Sequence, residues 1–171
     1  MMSVLTLAPR SRNQVRRSCH VGLRPRRELS ALSAQLSAIA ERRGVTLALL
    51  AGPSGPVAEV DHKAILDALV NLVANAIDAA SSTAQGRVEV KVEKDVDEVG
   101  FRVSDNGPGI RQKSSRTSSR VLQHEGIGRN RSLGLMTVKK VVEEHGGRVA
   151  YESVGGGGAV FSIRLPKTAP P

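Results

Sequence analysis

The chain of 171 residues carries 25 Lys and Arg against 16 Asp and Glu, a formal net charge of +9, and is 40% hydrophobic but only 2% aromatic. That length suits one domain with its own core and disfavours a second, and so few aromatics mean a core of Val, Leu, Ile and Ala with no stacking surface for bases. The single cysteine, Cys19, excludes an internal disulfide framework and fits a reducing compartment, and apolar runs too short for a membrane span or a secretory signal lead to the expectation of a cytoplasmic chain without membrane contact of its own.

In chain order, residues 1–22 are expected to be a basic, disordered N-terminal extension: residues 1–27 hold seven arginines and no acid. From Arg26 to Arg43, Leu29, Leu32, Leu36, Ile39 and Ala40 recur at helical spacing and Gly44 follows as a stop. "VTLALL" (45–50) reads as a short strand and "AGPSGP" as a loop. Asp61 is a natural N-cap for a long helix reaching Ala80. "RVEVKVE" (87–93) and "VGFRVSD" (99–105) alternate with a period of two and predict a hairpin with one buried face. Residues 111–131 hold six basic residues against one acid, Glu125, with no apolar periodicity. A helix over 133–147 ends at Gly146 and Gly147, and "RVAYES" and "AVFSIRLP" are two more strands joined through four glycines. A short tail, 167–171, closes the chain. The order α, β, α, β, β, α, β, β predicts an α+β fold, a two-layer sandwich whose mixed, mostly antiparallel sheet is covered on one face by helices.

The basic charge does not describe the foldable part. Setting aside the 13 basic residues and one acid of 1–27 and 111–131 leaves 12 basic against 15 acidic residues, a net of −3. A nucleic-acid partner is therefore not expected.

Two stretches carry the chemistry. In the helix ending at Ala80, Ile65, Leu69, Val73, Ala76 and Ala80 form one stripe, and Asp67, Asn71, Asn75 and Asp78 form another. A polar stripe is what any surface helix presents. Asparagine, however, is a poor helix former, and an amide oxygen suits a hard cation beside phosphates without adding charge. "SDNGPGI" (104–110) follows directly off a strand. Asn-Gly and Pro-Gly make it a tight turn, yet Asp105 at the strand end could accept a hydrogen bond from an exocyclic amine such as that of adenine, with glycines allowing close backbone approach.

Taken together, "LVNLVANAIDAA", "VSDNGPGI" and "LGLMTVKKVVEEHGGRVAYESVGGGGAVFSIRLP" resemble the catalytic, ATP-binding domain of bacterial sensor histidine kinases, within the wider family that includes Hsp90, gyrase and MutL. The resemblance covers about residues 23–166 and implies a Bergerat-type ATP-binding fold. It implies that Asn75 coordinates Mg²⁺, that Asn71 faces the phosphates and that Asp105 binds the adenine amine. Gly107, Gly109 and Ile110 would shape the adenine pocket. Leu133, Gly134 and Leu135 would belong to the lid at a helix N-terminus that favours anions, and Asp78 would complete the nucleotide contacts. Hydrolysing relatives carry a general-base glutamate where Asn71 stands, and an amide cannot take a proton from water. The implied reaction is transfer of the ATP γ-phosphoryl to a histidine on a dimerisation domain in trans, with a response regulator receiver domain as the next partner.

The chain departs from the family twice. No helical hairpin with a phospho-accepting histidine fits before residue 23. His20 lacks a following acid and reads as linker, and His62, His124 and His145 read as solvated or supporting residues. Between "DNGPGI" and "LGL", the family's Phe pair and lid glycines are replaced by "RQKSSRTSSRVLQHEGIGRNRS". Codons permitted for "VLQHE", read one base later, encode Phe-Phe-Asn-Thr-Lys, and those for "RNR" permit Gly-Thr-Gly before the original frame resumes at Leu133. Residues 111–132 are therefore expected to be a compensated frameshift and an irregular exposed loop. The competing expectation is a nucleotide-binding pseudokinase that acts by interaction.

Overall fold

A computed structural model of the chain describes residues 20–50, 58–109, 129–154 and 157–167. The elements in order are β1 (His20–Leu23), α1 (Pro25–Arg42), β2 (Thr46–Leu50), β3 (Ala58–Asp61), α2 (His62–Ala80), β4 (Arg87–Lys94), β5 (Glu98–Asp105), α3 (Arg129–Glu144), β6 (Arg148–Ser153) and β7 (Ala159–Pro166).

Local chemistry explains where the helices begin and stop. Helix α1 opens on Pro25, whose missing N–H costs nothing in a first turn, and it ends where Gly44 takes φ +65° and donates to the Glu41 carbonyl at 3.1 Å. Helix α2 begins at the expected cap: the Asp61 carboxylate accepts the Ala64 N–H at 3.1 Å. Its apolar stripe, Ile65, Leu69, Leu72, Val73, Ala76, Ile77 and Ala80, is buried. Helix α3 starts at Arg129, four residues before the expected Leu133, so the C-terminal end of the aberrant segment is helical backbone. The rest of the aberrant segment, from 111 to 128, and Ile110 lie outside the described residues.

The five-stranded sheet has the order β2-β4-β5-β7-β6. Strand β2 runs parallel to β4 and every other neighbouring pair is antiparallel. Val88, Val90 and Val92 of β4, Val99, Phe101 and Val103 of β5, and Phe161, Ile163 and Leu165 of β7 point into one core with the helices. Each such side chain contributes on the order of 1.5–3 kcal/mol on burial. The outer face is polar: Glu93 of β4, Gly100 of β5 and Arg164 of β7 stand in one row, and a Cβ at Gly100 would lie 2.9 Å from Arg164 Cδ. The missing side chain leaves the trough over which Arg164 reaches Glu93. The architecture is the two-layer α+β sandwich expected from the element order.

Two short strands escape sequence periodicity. The stretch around His20, expected as linker, is β1, which pairs antiparallel with β3 in the register His20↔Asp61 to Leu23↔Ala58. This small second sheet buries Leu23, Ala58 and Val60 beside the base of α2.

Candidate functional site

The end of β5 and the polar side of α2 meet at Gly107. A Cβ there would lie 2.7 Å from the Ala79 carbonyl carbon and 2.8 Å from its oxygen, so only glycine lets the turn lie on the helix. Ala79 is one helical turn beyond Asn75, or roughly 5–6 Å along the axis. The turn thereby brings Asp105 and Asn75, 30 positions apart in the chain, to one side of α2.

Asp105 is buried, 9% exposed, and its Oδ1 accepts the Gly107 N–H at 2.9 Å. Gly158, at φ +105°, packs beneath it: a Cβ there would lie 2.4 Å from the Asp105 carbonyl oxygen. Gly109, at φ +69°, faces the Gly158 carbonyl, its would-be Cβ 3.1 Å away. By sequence the glycine run is only a strand connector; four glycines in succession are the signal that backbones can approach closely there. Asn106 serves structure: its Oδ1 accepts the Arg87 N–H and its Nδ2 donates to the Gln85 carbonyl, both at 2.7 Å.

Asn75 lies between α2 and α3. Its Nδ2 is buried without a hydrogen-bond partner among the described residues, and a Cβ on Gly134 would stand 3.1 Å from that atom. A buried unpaired amide costs about 1–3 kcal/mol unless something fills the role. Because the two ends of an amide interchange by a flip, the same position can offer Oδ1. That donor set fits Mg²⁺ held mostly by phosphates and water: one neutral protein oxygen, and among the described residues no group of three His, Cys, Asp or Glu able to hold a metal unaided.

The remaining expected residues divide. Asn71 is exposed on the same helix, one turn before Asn75. Leu135 is buried, 3% exposed, in the core under α3, and Leu133 belongs to the first turns of that helix. Asp78 is turned toward α1, paired with Arg43 at 2.8 Å. Asp67 is occupied by Lys63 at 2.7 Å, and that hydrogen bond holds the Lys63 ammonium above its ordinary range.

This fold defines a class. Residues 60–169 match the family described as histidine kinase-, DNA gyrase B- and HSP90-like ATPase, and the chain belongs to it. Within that family its likeness is to histidine kinase catalytic domains. It is 35% identical over 145 residues to the sensor protein DivL of Caulobacter vibrioides, covering 82% of this chain and 18% of DivL. It is 33% identical over 133 residues to the sensor histidine kinase ZraS of Salmonella typhimurium, covering 76% of this chain and 28% of ZraS. The chain thus spans less than a third of the length of these relatives. The catalytic domain of histidine kinase ThkA shares the fold with a TM-score of 0.69 at 22% identity, over 88% of this chain and 98% of that domain. Full-length ShkA in complex with AMPPNP shares it with a TM-score of 0.68 at 21% identity, over 88% of this chain and 31% of ShkA.

Proposed function

We propose that the chain binds ATP with Mg²⁺ between α2, the β5 turn and α3, and transfers the γ-phosphoryl to a histidine supplied in trans by a dimerisation domain, in a cytoplasmic two-component pathway that passes it on to a response regulator receiver domain. What supports the reading is that the turn after buried Asp105 rests on Ala79 of α2, one helical turn beyond Asn75, whose amide is without a partner among the described residues. Family membership and the likeness to a kinase solved with a nucleotide analogue support it.

In this reading Asp105 accepts the exocyclic amine of adenine while the Gly107 N–H keeps the carboxylate oriented. Gly107 and Gly109 keep the pocket floor free of side chains, and Asn75 offers its amide oxygen to the cation. Mg²⁺ with ATP supplies charge neutralisation of the phosphates. Asn71, exposed and facing the same side, orients phosphate oxygens and cannot act as a base toward water, which favours transfer over hydrolysis. The transfer forms a bond between phosphorus and an imidazole nitrogen, breaks the bond to the β–γ bridging oxygen and releases ADP.

Calorimetry with ADP and ATP, followed by labelling of a supplied histidine hairpin with γ-labelled ATP, tests the proposal. Nucleotide binding and an acid-labile phosphohistidine are expected. No binding at millimolar nucleotide refutes it. The sequence of 111–132, which lacks the family's Phe pair and lid glycines, favours a second reading as a nucleotide-binding interaction module; binding without labelling selects that one.

A further inference from the structure

We infer that His145 is a positioning residue: a neutral imidazole strut between the end of α3 and the base of α2 that sets the depth at which Gly134 meets Asn75. His145 follows the last residue of α3. Its backbone N–H bonds the Val142 carbonyl at 3.2 Å, one residue short of the helical partner. Ring Nδ1 lies 2.7 Å from the carbonyl of Val141. On the opposite edge of the ring, Nε2 lies 3.0 Å from the backbone N–H of Asp61, the N-cap of α2.

These two neighbours decide the protonation state by geometry. A carbonyl can only accept and a backbone N–H can only donate, so Nδ1 carries the proton and Nε2 is bare. A second proton would set N–H against N–H. The neighbouring titratable groups have partners of their own: the Asp61 carboxylate caps Ala64, His62 pairs with Glu28 at 2.6 Å, and Glu143 and Glu144 reach back to Lys139 and Lys140.

The consequence lies at the other end of the helix. Gly134 is 11 residues from His145, roughly 16 Å along α3, and it meets Asn75 closely: a Cβ there would stand 3.1 Å from the amide Nδ2. A rigid helix pinned at one end passes a tilt to the other, and here the other end touches the amide assigned to the cation. Val138 and Val142 pack the middle of α3 on the core, and the two hydrogen bonds of the ring add directional contacts at its end.

The role in nucleotide binding rests on the site proposed above, while the tautomer and the effect on Asn75 stand without it. The test uses ¹⁵N-labelled chain. Long-range ¹H–¹⁵N spectra of the unaltered protein at neutral pH should show His145 with Nδ1 protonated and Nε2 bare. In His145→Ala the Asn75 side-chain amide signals should move and ADP affinity should fall by about tenfold, equivalent to one lost hydrogen bond. In His145→Gln, whose carbonyl oxygen can accept from Asp61, both should return to the unaltered values. An Nε2-protonated or doubly protonated ring, or Asn75 signals that stay in place in His145→Ala, overturns the inference. If His145→Ala does not fold, the tautomer and His145→Gln decide, since displaced Asn75 signals in the latter also overturn it. An unaltered chain that binds no ADP refutes the nucleotide reading alone.

Discussion

Replacing Asp105 by Asn isolates adenine recognition from folding. The substitution is isosteric, and the amide Oδ1 can still accept the Gly107 N–H that Asp105 accepts at 2.9 Å, so the turn on Ala79 should persist. What changes is the second position of the group, where an acceptor becomes an NH₂ donor. Facing the exocyclic amine of adenine, it loses a hydrogen bond to a charged acceptor, worth about 1.5–3 kcal/mol, and sets two donors against each other. At 9% exposure there is little water to relieve that clash. The expected loss is about 2–4 kcal/mol, or roughly 30- to 1,000-fold in the ADP dissociation constant. Calorimetry against ADP measures it, and a urea titration on the same protein checks that unfolding stability changes by less than about 1 kcal/mol. An Asp105→Asn chain that binds ADP within threefold (about 0.7 kcal/mol) of the unaltered chain would refute the placement of adenine at this carboxylate.

Gly107→Ala should destabilise the fold by about 1–3 kcal/mol and weaken ADP binding, because its Cβ would meet the Ala79 backbone 2.7 Å away; an unchanged thermal midpoint would mean that the turn does not rest on α2. Ile77→Ala, at a fully buried position, should cost about 2–5 kcal/mol in urea unfolding, and a loss below about 1 kcal/mol would contradict the packing of α2 on the sheet. Asn71→Ala, at an exposed helical position, should leave stability within about 0.5 kcal/mol and still abolish labelling of a supplied histidine; labelling at the unaltered rate would remove Asn71 from the phosphate site. Restoring Phe-Phe-Asn-Thr-Lys in place of "VLQHE", together with Asn130→Gly, Arg131→Thr and Ser132→Gly, should tighten ATP by about tenfold or more by turning backbone N–H groups toward the phosphates. Resequencing the gene over this stretch tests the same idea, and a repaired chain that binds no better supports the interaction-module reading.

Much of this protein was decided by local sequence. Alternation in "RVEVKVE" and "VGFRVSD" and the stripe from Ile65 to Ala80 follow from side-chain periods of 2 and 3.6, which a chain carries whatever it packs against. Asp61 as a cap and Gly44 as a stop are equally local, since each acts on backbone groups within four residues. The residue types at 71, 75 and 105 and their motifs point to the family by themselves. Tertiary structure decided which of those groups meet. That β2 joins the sheet parallel to β4, that β1 finds β3, and that Asp78 turns to Arg43 are pairings between distant segments, set by register and by what the core leaves exposed. The same is true of Gly134 against Asn75, Gly107 on Ala79 and His145 under Asp61. No local propensity encodes such contacts, because they arise only when helices laid on a sheet bring backbones within hydrogen-bond reach, and the residues that permit this, glycine and a neutral histidine, have no periodicity to announce them.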